Sequence, residues 1–245
     1  MTVTLVMPVL NEIAGLREML PRIQREWVDQ IIVLDGGSTD GSVEYALEQG
    51  CEVHRQARRG LRFAYLEVHE KVKGDVMITF SPDGNSIPEL LPALVAEMRK
   101  GYDMVIVSRY LDTARSEDDT MLTRIGNFVL TRLINLLFGG RYSDALVIFR
   151  GYRRSLPREV GLTRVRSDRY ERWIGRYISW EPQLSVRCAK LKLRVGEIPG
   201  DEPPRIGEKV PSLLLPASRI HHFRSGFACL YMIFDDFLTP ASRLR

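Results

Sequence analysis

Phe80-Ser81-Pro82-Asp83-Gly84-Asn85-Ser86 is a polar turn that directly follows the apolar run Val76 to Phe80 and precedes Pro88 and a long helical pattern. The apolar run is typical of a strand buried on both faces, as in a parallel sheet. Asp83 and Asn85 therefore follow a strand end, which is where open α/β sheets bind their ligands. Carboxylate and amide oxygens suit Mg²⁺ or Mn²⁺, so this turn predicts a site for a metal or an anionic substrate.

The same arrangement of an apolar run and a polar turn occurs at Val3 to Val9, Ile31 to Leu34 and Met104 to Val107. Helical patterns separate these runs, and Cys51 to His54 predicts a weaker strand. Within the first 110 residues, strand and helix alternate four times. This alternation predicts a doubly wound α/β fold with a mostly parallel sheet and right-handed crossovers.

The remainder of the chain carries a less regular pattern. We predict a polar loop over 112–120, a helix over 122–138, a strand over 145–149, a helix over 169–178, a strand over 191–195 and a loop over 200–211. The last 30 residues are amphipathic and aromatic. We therefore expect one α/β domain over residues 1–210 and an amphipathic, helical C-terminal extension over residues 211–245.

The composition is that of a soluble globular protein, with 44% apolar and 27% charged residues among 245. The net charge is +4, and the positive excess is concentrated in residues 141–176, which contain ten Arg, no Lys and four acidic residues. Guanidinium groups suit phosphates and carboxylates, and a solvated basic face explains the pattern equally well. Because aromatic residues are not interleaved with these arginines in a stacking pattern, we expect no nucleic-acid partner.

Three widely spaced cysteines without a C-x-x-C pair predict neither a disulfide framework nor a structural zinc, and they fit a reducing compartment. We recognise no secretory signal and no apolar run of roughly 18 residues, the length that a membrane span needs, so we expect a cytoplasmic protein. Apolar stripes in residues 122–138 and 220–238 lie beside arginines, which predicts a peripheral position on the cytoplasmic face of a membrane. Core contacts or a homo-oligomer interface are the alternatives.

Four polar motifs follow the four main strands. They are Pro8-Val9-Leu10-Asn11-Glu12, the turn Asp35 to Ser42, the turn Ser81 to Asn85, and Ser108-Arg109-Tyr110. Each motif alone is equally explained as a turn or a helix cap. Because the carboxyl ends of parallel strands meet at one edge of a sheet, the four motifs together predict a single site.

In order and spacing these motifs resemble the family 2 glycosyltransferases with the GT-A (Rossmann-like) fold. Within that family they resemble the branch that transfers mannose or glucose to polyprenyl (dolichyl) phosphate. The resemblance extends from about residue 3 to residue 210, and Ser108-Arg109-Tyr110 resembles the G-S-R-Y of that branch. Further matches are Arg124 with Asn127 (R-G-x-N), Ser143-Asp144 with Phe149-Arg150 (S-D-x-T-S-G-F-R), Glu197-Ile198-Pro199 (E-V-P) and Arg205 to Lys209 (R-x-G-x-S-K).

The resemblance implies a nucleotide-diphosphate sugar as donor and a divalent cation, Mg²⁺ or Mn²⁺, held by Asp83 and Asn85. The residues implied for donor and nucleotide binding are Pro8, Leu10, Asn11, Glu12, Asp35, Gly37, Ser38, Arg59, Ser81, Pro82 and Asp83. The residues implied for acceptor or phosphate binding are Arg109, Arg124, Asn127, Arg205 and Lys209. The four basic residues of this set would hold either an acceptor phosphate or the donor diphosphate. The residues implied for catalysis are Asp83, Arg109, Arg124 and Asp144. The implied acceptor is a polyprenyl phosphate, which is already ionised, so positioning and electrostatics suffice without a general base.

The sequence departs from the branch pattern at three places. Ser81 stands where the first carboxylate of D-x-D is expected, Gly36 replaces the second Asp of D-D-G-S, and Leu146-Val147-Ile148 replaces T-S-G. The first change removes a charged metal ligand, and the last puts the acceptor in question.

These departures keep two alternatives open. One is transfer to a soluble hydroxyl acceptor, a glycan or a specialised metabolite, for which the acidic run Glu117-Asp118-Asp119 would supply a general base. A solvated loop is the other interpretation of that run. The second alternative is a nucleotide-sugar-binding protein without transferase activity.

Overall fold

A mixed β-sheet organises the computed structural model, which describes residues 1–164, 180–207 and 219–244. Its strands are β1 (Val3–Val9), β2 (Gln30–Asp35), β3 (Glu52–Arg55), β4 (Val76–Thr79), β5 (Met104–Ser108), β6 (Arg150–Arg153) and β7 (Val195–Pro199). The order across the sheet is β3-β2-β1-β4-β6-β5-β7. Neighbouring strands are parallel, except that β6 is antiparallel to β4 and to β5. The predicted α/β class with a mostly parallel sheet is confirmed.

Helices flank this sheet. They are α1 (Ile13–Met19), α2 (Ser42–Glu48), α3 (Leu61–His69), α4 (Leu91–Met98), α5 (Met121–Phe138), α6 (Leu156–Glu159), α7 (Trp180–Lys190), α8 (Arg219–Leu238) and α9 (Ala241–Leu244). The consecutive residues Leu5, Val6 and Met7 of β1 are all fully buried. Because successive side chains of a strand point to opposite faces, both faces of the sheet are covered at β1.

The prediction of a strand over 145–149 is wrong, because these residues form a turn and the strand begins at Arg150. Asp144 causes the difference, because its Oδ1 accepts the backbone N–H groups of Leu146 and Val147 at 3.3 Å each. A carboxylate that binds the backbone just downstream of it favours a turn over a sheet ladder.

The strand predicted over 191–195 is displaced to Val195–Pro199. The N–H groups of Leu191 and Leu193 still donate to carbonyls of α7, at 2.9 and 3.0 Å, so residues 191–194 close the end of that helix. The alternation in the sequence therefore reflects a helix terminus. The helix predicted over 169–178 lies outside the described residues.

Arg150, one of the ten arginines between residues 141 and 176, is fully buried. Its guanidinium donates to the carbonyls of Val147, Ala145 and Glu181 and to Ser185 Oγ at 2.8 Å. Arg150 therefore belongs neither to a solvated basic face nor to a phosphate-binding site. Its role is to satisfy the carbonyls of the turn before β6 and of α7.

The C-terminal helix α8 packs on the sheet domain. Asp236 is fully buried and accepts hydrogen bonds from Arg187 Nη2 at 3.0 Å and from Gln183 Nε2 at 3.0 Å. Lys190 caps the end of α8 by donating to the Phe237 carbonyl at 3.1 Å. The end of the predicted extension is thus anchored to α7, while the division at residue 210 stays a prediction.

Helix α5, with 18 residues of mean hydropathy 1.2, is long and apolar enough to cross a membrane by length and composition. It is the one helix in the described part of the chain that meets this test. Core helices of soluble proteins pass the same test, so this is weak evidence. We expected no segment long and apolar enough to span a membrane, and α5 does not meet that expectation.

Candidate active site

The turn after β1 and the turn after β2 interlock through hydrogen bonds. Asn11 Oδ1 accepts the N–H of Thr39 at 2.8 Å, and the N–H of Asn11 donates to Ser38 Oγ at 3.0 Å. The N–H of Glu12 donates to Ser42 Oγ at 3.0 Å. Asn11 has a φ of 55°, a left-handed conformation that asparagine tolerates better than most residues. These two motifs therefore form one continuous rim.

Asp35 is the buried acid of this rim. Its Oδ1 accepts the N–H of Ser38 at 2.8 Å, and its Oδ2 lies 3.9 Å from Nε of Arg55. Gly37 has a φ of 103°, which favours glycine. The sequence did not indicate Arg55, because only the pairing of Asp35 with Arg55 across β2 and β3 brings it here.

The other predicted donor residues of this half occupy different positions. Pro8 is paired with Leu34 inside the sheet, and the Leu10 side chain lies 3.4 Å from where a Cβ on Gly36 would be. Arg59 is exposed on the loop between β3 and α3. The structure thus brings Leu10 to the rim, keeps Pro8 within β1 and leaves Arg59 on the surface.

The turn after β4 is fixed by its own backbone and by the loop before α5. The N–H of Ser81 donates to Ser86 Oγ at 3.2 Å, and that of Asn85 donates to Asp83 Oδ1 at 3.2 Å. Asn85 Nδ2 donates to Asp118 Oδ2 at 3.1 Å. Within the described chain, Asn85 Oδ1 is buried and lacks a hydrogen-bond partner. Asp118 therefore orients this amide and does not simply face solvent.

An oxygen-binding cation fits this turn. Asp83 offers a carboxylate and Asn85 an amide oxygen without a partner, and both are hard ligands of the kind that Mg²⁺ and Mn²⁺ prefer. Among the described residues, no three side chains of His, Cys, Asp or Glu gather into a complete metal site. The remaining ligands would come from a bound substrate or from water.

Arg205 joins the turn after β4 to the turn after β1. Its Nη1 donates to Asp83 Oδ2 at 2.5 Å, and its Nη2 donates to Glu12 Oε1. The N–H of Ile206 donates to the Asp83 carbonyl at 2.6 Å. The structure therefore places Arg205 between the turns after β1 and β4, and its role at an acceptor phosphate or at the donor diphosphate stays a prediction. Lys209 lies outside the described residues.

The Glu12 carboxyl is expected to make stability depend on pH. Burial raises the pKa of Glu12 from 4.5 to about 7, against the opposing effect of the Arg205 guanidinium. A carboxyl whose pKa is raised by folding stabilises the fold in its protonated form, so this stability is present below pH 4.5 and is lost as the pH rises through about 7.

Urea unfolding of the wild type and Glu12→Gln across that range measures the effect. Between about pH 5 and about pH 8 the wild type should lose about 1–3 kcal/mol relative to Glu12→Gln, which cannot titrate at this position. A difference that stays constant over the range would contradict the raised pKa.

Gly15 of α1 is expected to tolerate no side chain, because a Cβ there would lie 2.2 Å from the Pro82 carbonyl oxygen. Gly15→Ala forces α1 away from the turn after β4, and overpacking of this kind costs about 1–3 kcal/mol in urea unfolding. The matched control is Gly126→Ala in α5, where a Cβ would have no neighbour within 4 Å. The control should stabilise the protein by up to about 1 kcal/mol through helix propensity, and equal effects of the two changes would refute the close approach.

Arg109, at the end of β5, lies in a cluster of acids. Its Nε donates to Asp144 Oδ2 at 2.6 Å, its Nη1 donates to Glu202 Oε2 at 3.1 Å, and Asp119 Oδ2 lies 3.9 Å from Nη1. Burial lowers the pKa of Arg109, but Asp144 and Glu202 outweigh that effect and hold the pKa well above its usual range. Burial also raises the pKa of Glu202, against the opposing charge of Arg109. Arg109 is thus a charged group already engaged by carboxylates.

Asp119 connects this cluster to the start of α5. It accepts a hydrogen bond from Tyr110 Oη, and Asn127 Nδ2 donates to the same Oη at 3.4 Å. Burial, together with the bond to Asp119, raises the pKa of Tyr110 to about 12. Arg124 is exposed, and its Nη2 donates to the Ser116 carbonyl at 3.3 Å. The structure therefore brings Arg109, Asn127 and Arg124 to one region.

Glu197 of the E-I-P motif positions Asp144. Its carboxylate accepts the N–H groups of Ser143 at 2.9 Å and of Asp144 at 3.2 Å. Glu202, which pairs with Arg109, was missed at the sequence level because its partner is 93 residues away in the chain. No local pattern marks such a contact.

An apolar groove lies between α5 and α8. It has a volume of about 670 Å³ and is lined by Leu122, Ile125, Gly126, Val129, Leu146 and Phe227. Arg109 and Asp119 are its charged lining residues. The groove therefore adjoins the acidic cluster at the end of β5.

The sheet and its flanking helices define a glycosyltransferase of the GT-A fold class, and the model of the glycosyl transferase family 2 matches residues 4–161. The chain belongs to the glycosyl transferase family 2. The resemblance stated from the motifs is thereby confirmed.

Relatives and solved structures agree with this assignment. Glycosyltransferase AglJ of Haloferax volcanii is 27% identical over 83% of this chain and 63% of its own length. An undecaprenyl-phosphate 4-deoxy-4-formamido-L-arabinose transferase of Aeromonas hydrophila is 30% identical over 63% of this chain and 49% of its own. The chain thus spans less than two thirds of either relative.

The structure of glucosyl-3-phosphoglycerate synthase from Mycobacterium tuberculosis, in complex with Mn²⁺, uridine diphosphate and glucosyl-3-phosphoglycerate, superposes with a TM-score of 0.69. The match covers 98% of this chain and 81% of that one at 19% identity, and it confirms the predicted GT-A fold.

Proposed function

We propose that this chain transfers a sugar from a nucleotide-diphosphate sugar to a polyprenyl phosphate. The observation that carries the proposal is the apolar groove, which adjoins the strand-end rim at Arg109 and Asp119. An isoprenoid chain is apolar and long, so a groove of this composition would bury it and leave its phosphate at the charged end. The Aeromonas relative, whose name specifies undecaprenyl phosphate, supports the same acceptor class.

The donor would lie along the turns after β1, β2 and β4. Asp35, Asn11 and Glu12 would face the nucleoside, and Asp83 with Asn85 would hold Mg²⁺ or Mn²⁺ at the diphosphate. When bound, the cation neutralises the charge on the departing diphosphate, which is the largest electrostatic contribution available. Asp118 keeps the Asn85 amide oxygen in place through the 3.1 Å hydrogen bond.

The acceptor phosphate would meet Arg124 and Asn127 at the start of α5. Arg109 is held by Asp144 and Glu202, so it offers a positive charge at a fixed position. Arg124 is exposed, and the bond that it makes within the described residues runs to the Ser116 carbonyl at 3.3 Å. A phosphate monoester is ionised near neutral pH, so the protein has to hold and orient it and need not remove a proton. Lys209 is a further candidate for this phosphate.

A donor screen followed by an acceptor screen tests the proposal. Melting temperatures would be measured with UDP, GDP and their sugars, with and without Mn²⁺, and the best donor would then be offered to a short polyprenyl phosphate, the matching polyprenol and soluble sugars. Transfer to the polyprenyl phosphate alone supports the proposal. The proposal fails if no nucleotide raises the melting temperature, or if only soluble acceptors are glycosylated.

Filling the groove is expected to impair use of the lipid and to spare the donor. Gly126 lines the groove, and a Cβ there meets no atom within 4 Å, so Gly126→Leu should fold and project into the cavity. We expect KM for polyprenyl phosphate to rise about tenfold, a loss typical of one displaced apolar contact, with unchanged Kd for the nucleotide. Gly126→Ala is the control, and an unaltered KM in Gly126→Leu would argue against the groove as the lipid site.

Asp119 favours a second candidate, transfer to a hydroxyl acceptor. Its carboxylate is mostly buried, lines the groove and accepts a hydrogen bond from Tyr110, so it is placed to act as a general base. In that case Asp119→Asn should lower kcat by about 10²–10⁴-fold. With a phosphate acceptor the same change should have a small effect on kcat.

The exposed apolar side chains of α5 and α8 support a position on a membrane surface, which we propose to be the cytoplasmic face. Leu122, Phe128 and Phe227 are exposed, and Arg132 lies 5.1 Å from the centre of the Phe128 ring. Apolar side chains beside arginine are the pattern of interfacial helices. Flotation with anionic vesicles tests this, and light scattering of the lipid-free protein tests self-association through the same face.

A further inference from the structure

We propose that Arg205 is an internal competitor for the divalent cation at Asp83, so that the metal binds together with the nucleotide and not before it. This inference rests on the proposed function. It assigns to Arg205 a role at the donor diphosphate.

Arg205 occupies the space beside Asp83 that a bound cation would need. Nη1 of Arg205 lies 2.5 Å from Asp83 Oδ2, and the other carboxylate oxygen of Asp83 accepts the N–H of Asn85 at 3.2 Å. Both oxygens of the best metal ligand are therefore engaged. A cation at Asp83 Oδ2 would lie within a few ångströms of a guanidinium, where like charges repel strongly in a partly buried site.

The charge balance explains why this competition is effective in this chain. Arg205 is shared between Asp83 and Glu12, and its side chain is 18% exposed, so the pair is only partly screened by water. Ser81 stands where a further carboxylate would have added negative charge to hold both cations. With a single carboxylate in the turn, Arg205 and a metal compete for the same group.

A second observation indicates what releases Arg205. Within the described chain its Nε is buried and lacks a hydrogen-bond partner. A buried N–H donor without an acceptor is costly, and a phosphate oxygen is the acceptor that guanidinium binds best. A diphosphate oxygen would accept from this Nε and compete with Asp83 for the guanidinium, and Asp83 Oδ2 would then be available as a metal ligand.

Only the side chain has to move for this exchange. The backbone next to Arg205 is fixed to the turn, because the N–H of Ile206 donates to the Asp83 carbonyl at 2.6 Å and the Ile206 side chain packs against Gly84. The backbone of Arg205 therefore stays beside the proposed diphosphate site, whether its guanidinium binds Asp83 or a phosphate.

Mn²⁺ titration of the nucleotide-free protein, followed by the electron paramagnetic resonance signal of free Mn²⁺, tests the inference. The proteins are the wild type, Arg205→Gln, Arg205→Lys and Arg99→Gln, the last removing an exposed arginine beyond α4. We expect Arg205→Gln to bind Mn²⁺ about tenfold more tightly than the wild type, because the competing cation is gone. Arg205→Lys and Arg99→Gln should bind it as weakly as the wild type.

The same proteins are then titrated with UDP and with GDP, with and without Mn²⁺. Arg205→Gln should bind the preferred nucleotide about tenfold more weakly in the absence of metal, since one charge-assisted contact is lost. A role confined to stabilising the fold would not tighten Mn²⁺ binding. Unchanged Mn²⁺ affinity in Arg205→Gln would overturn the inference, while failure of the wild type to bind any nucleotide would overturn the proposed function.

Discussion

Asp83→Ala is expected to abolish metal-dependent binding of the nucleotide donor. Asp83 is 7% exposed, accepts the backbone N–H of Asn85 at 3.2 Å, and contributes the carboxylate of the turn after β4. In the proposed site the Asp83 carboxylate is the charged ligand of the cation. Because Asp83→Ala removes it, nucleotide binding in the presence of Mn²⁺ should weaken by at least about 100-fold. Calorimetric titration with UDP and GDP, in Mn²⁺ and in a chelator, measures the loss.

Ser81→Ala is the matched control in the same turn. Its backbone N–H, which donates to Ser86 Oγ at 3.2 Å, is retained in the variant. We therefore expect a loss of less than about tenfold, because a hydroxyl contributes little to holding a hard cation beside a carboxylate. Equal nucleotide affinity in the wild type and in Asp83→Ala would count directly against the assignment of the diphosphate site.

Arg150→Met is expected to produce the largest loss of stability. Arg150 is fully buried, and the variant would leave the carbonyls of Ala145, Val147 and Glu181 without this donor. Removing one partner from such a buried network costs about 3–5 kcal/mol. Urea unfolding with linear extrapolation measures the change in free energy of unfolding.

Arg158→Met supplies the comparison for the same substitution on the surface. Arg158 pairs with Glu70 at 2.7 Å, but both side chains are more than half exposed, at 67% and 73%. A pair of this kind contributes about 0–1 kcal/mol. If Arg150→Met cost as little as Arg158→Met, the hydrogen-bond network around Arg150 would have no energetic significance.

The strand-end rim could be predicted because the sequence pattern that produces it is local. An apolar run followed by a polar turn is visible in a dozen residues, and parallel strands carry all such turns to the same edge of the sheet. Asn11, Asp35 and Asp83 therefore fall where the motifs indicated, on interlocked turns. The long helix α5 was visible for the same reason, since its apolar period lies within one segment.

Elements shaped by distant partners could not be predicted in this way. The run after Asp144 has the composition of a strand, yet the carboxylate binds the next two backbone N–H groups, and Glu197 in turn fixes Asp144 from 53 residues away. Propensity describes what a segment favours alone, whereas tertiary contacts decide which alternative is realised.

The sequence by itself determined the α/β class, the order of the strand-end motifs and the position of Asp83 in the turn after β4. Only the tertiary structure decided what that carboxylate contacts. Arg205 reaches Asp83 across 122 residues and Asp118 reaches Asn85 across 33, and no pattern in the chain encodes either contact. Charges act through space at distances of a few ångströms, so the state of a site depends on which charges the fold brings together.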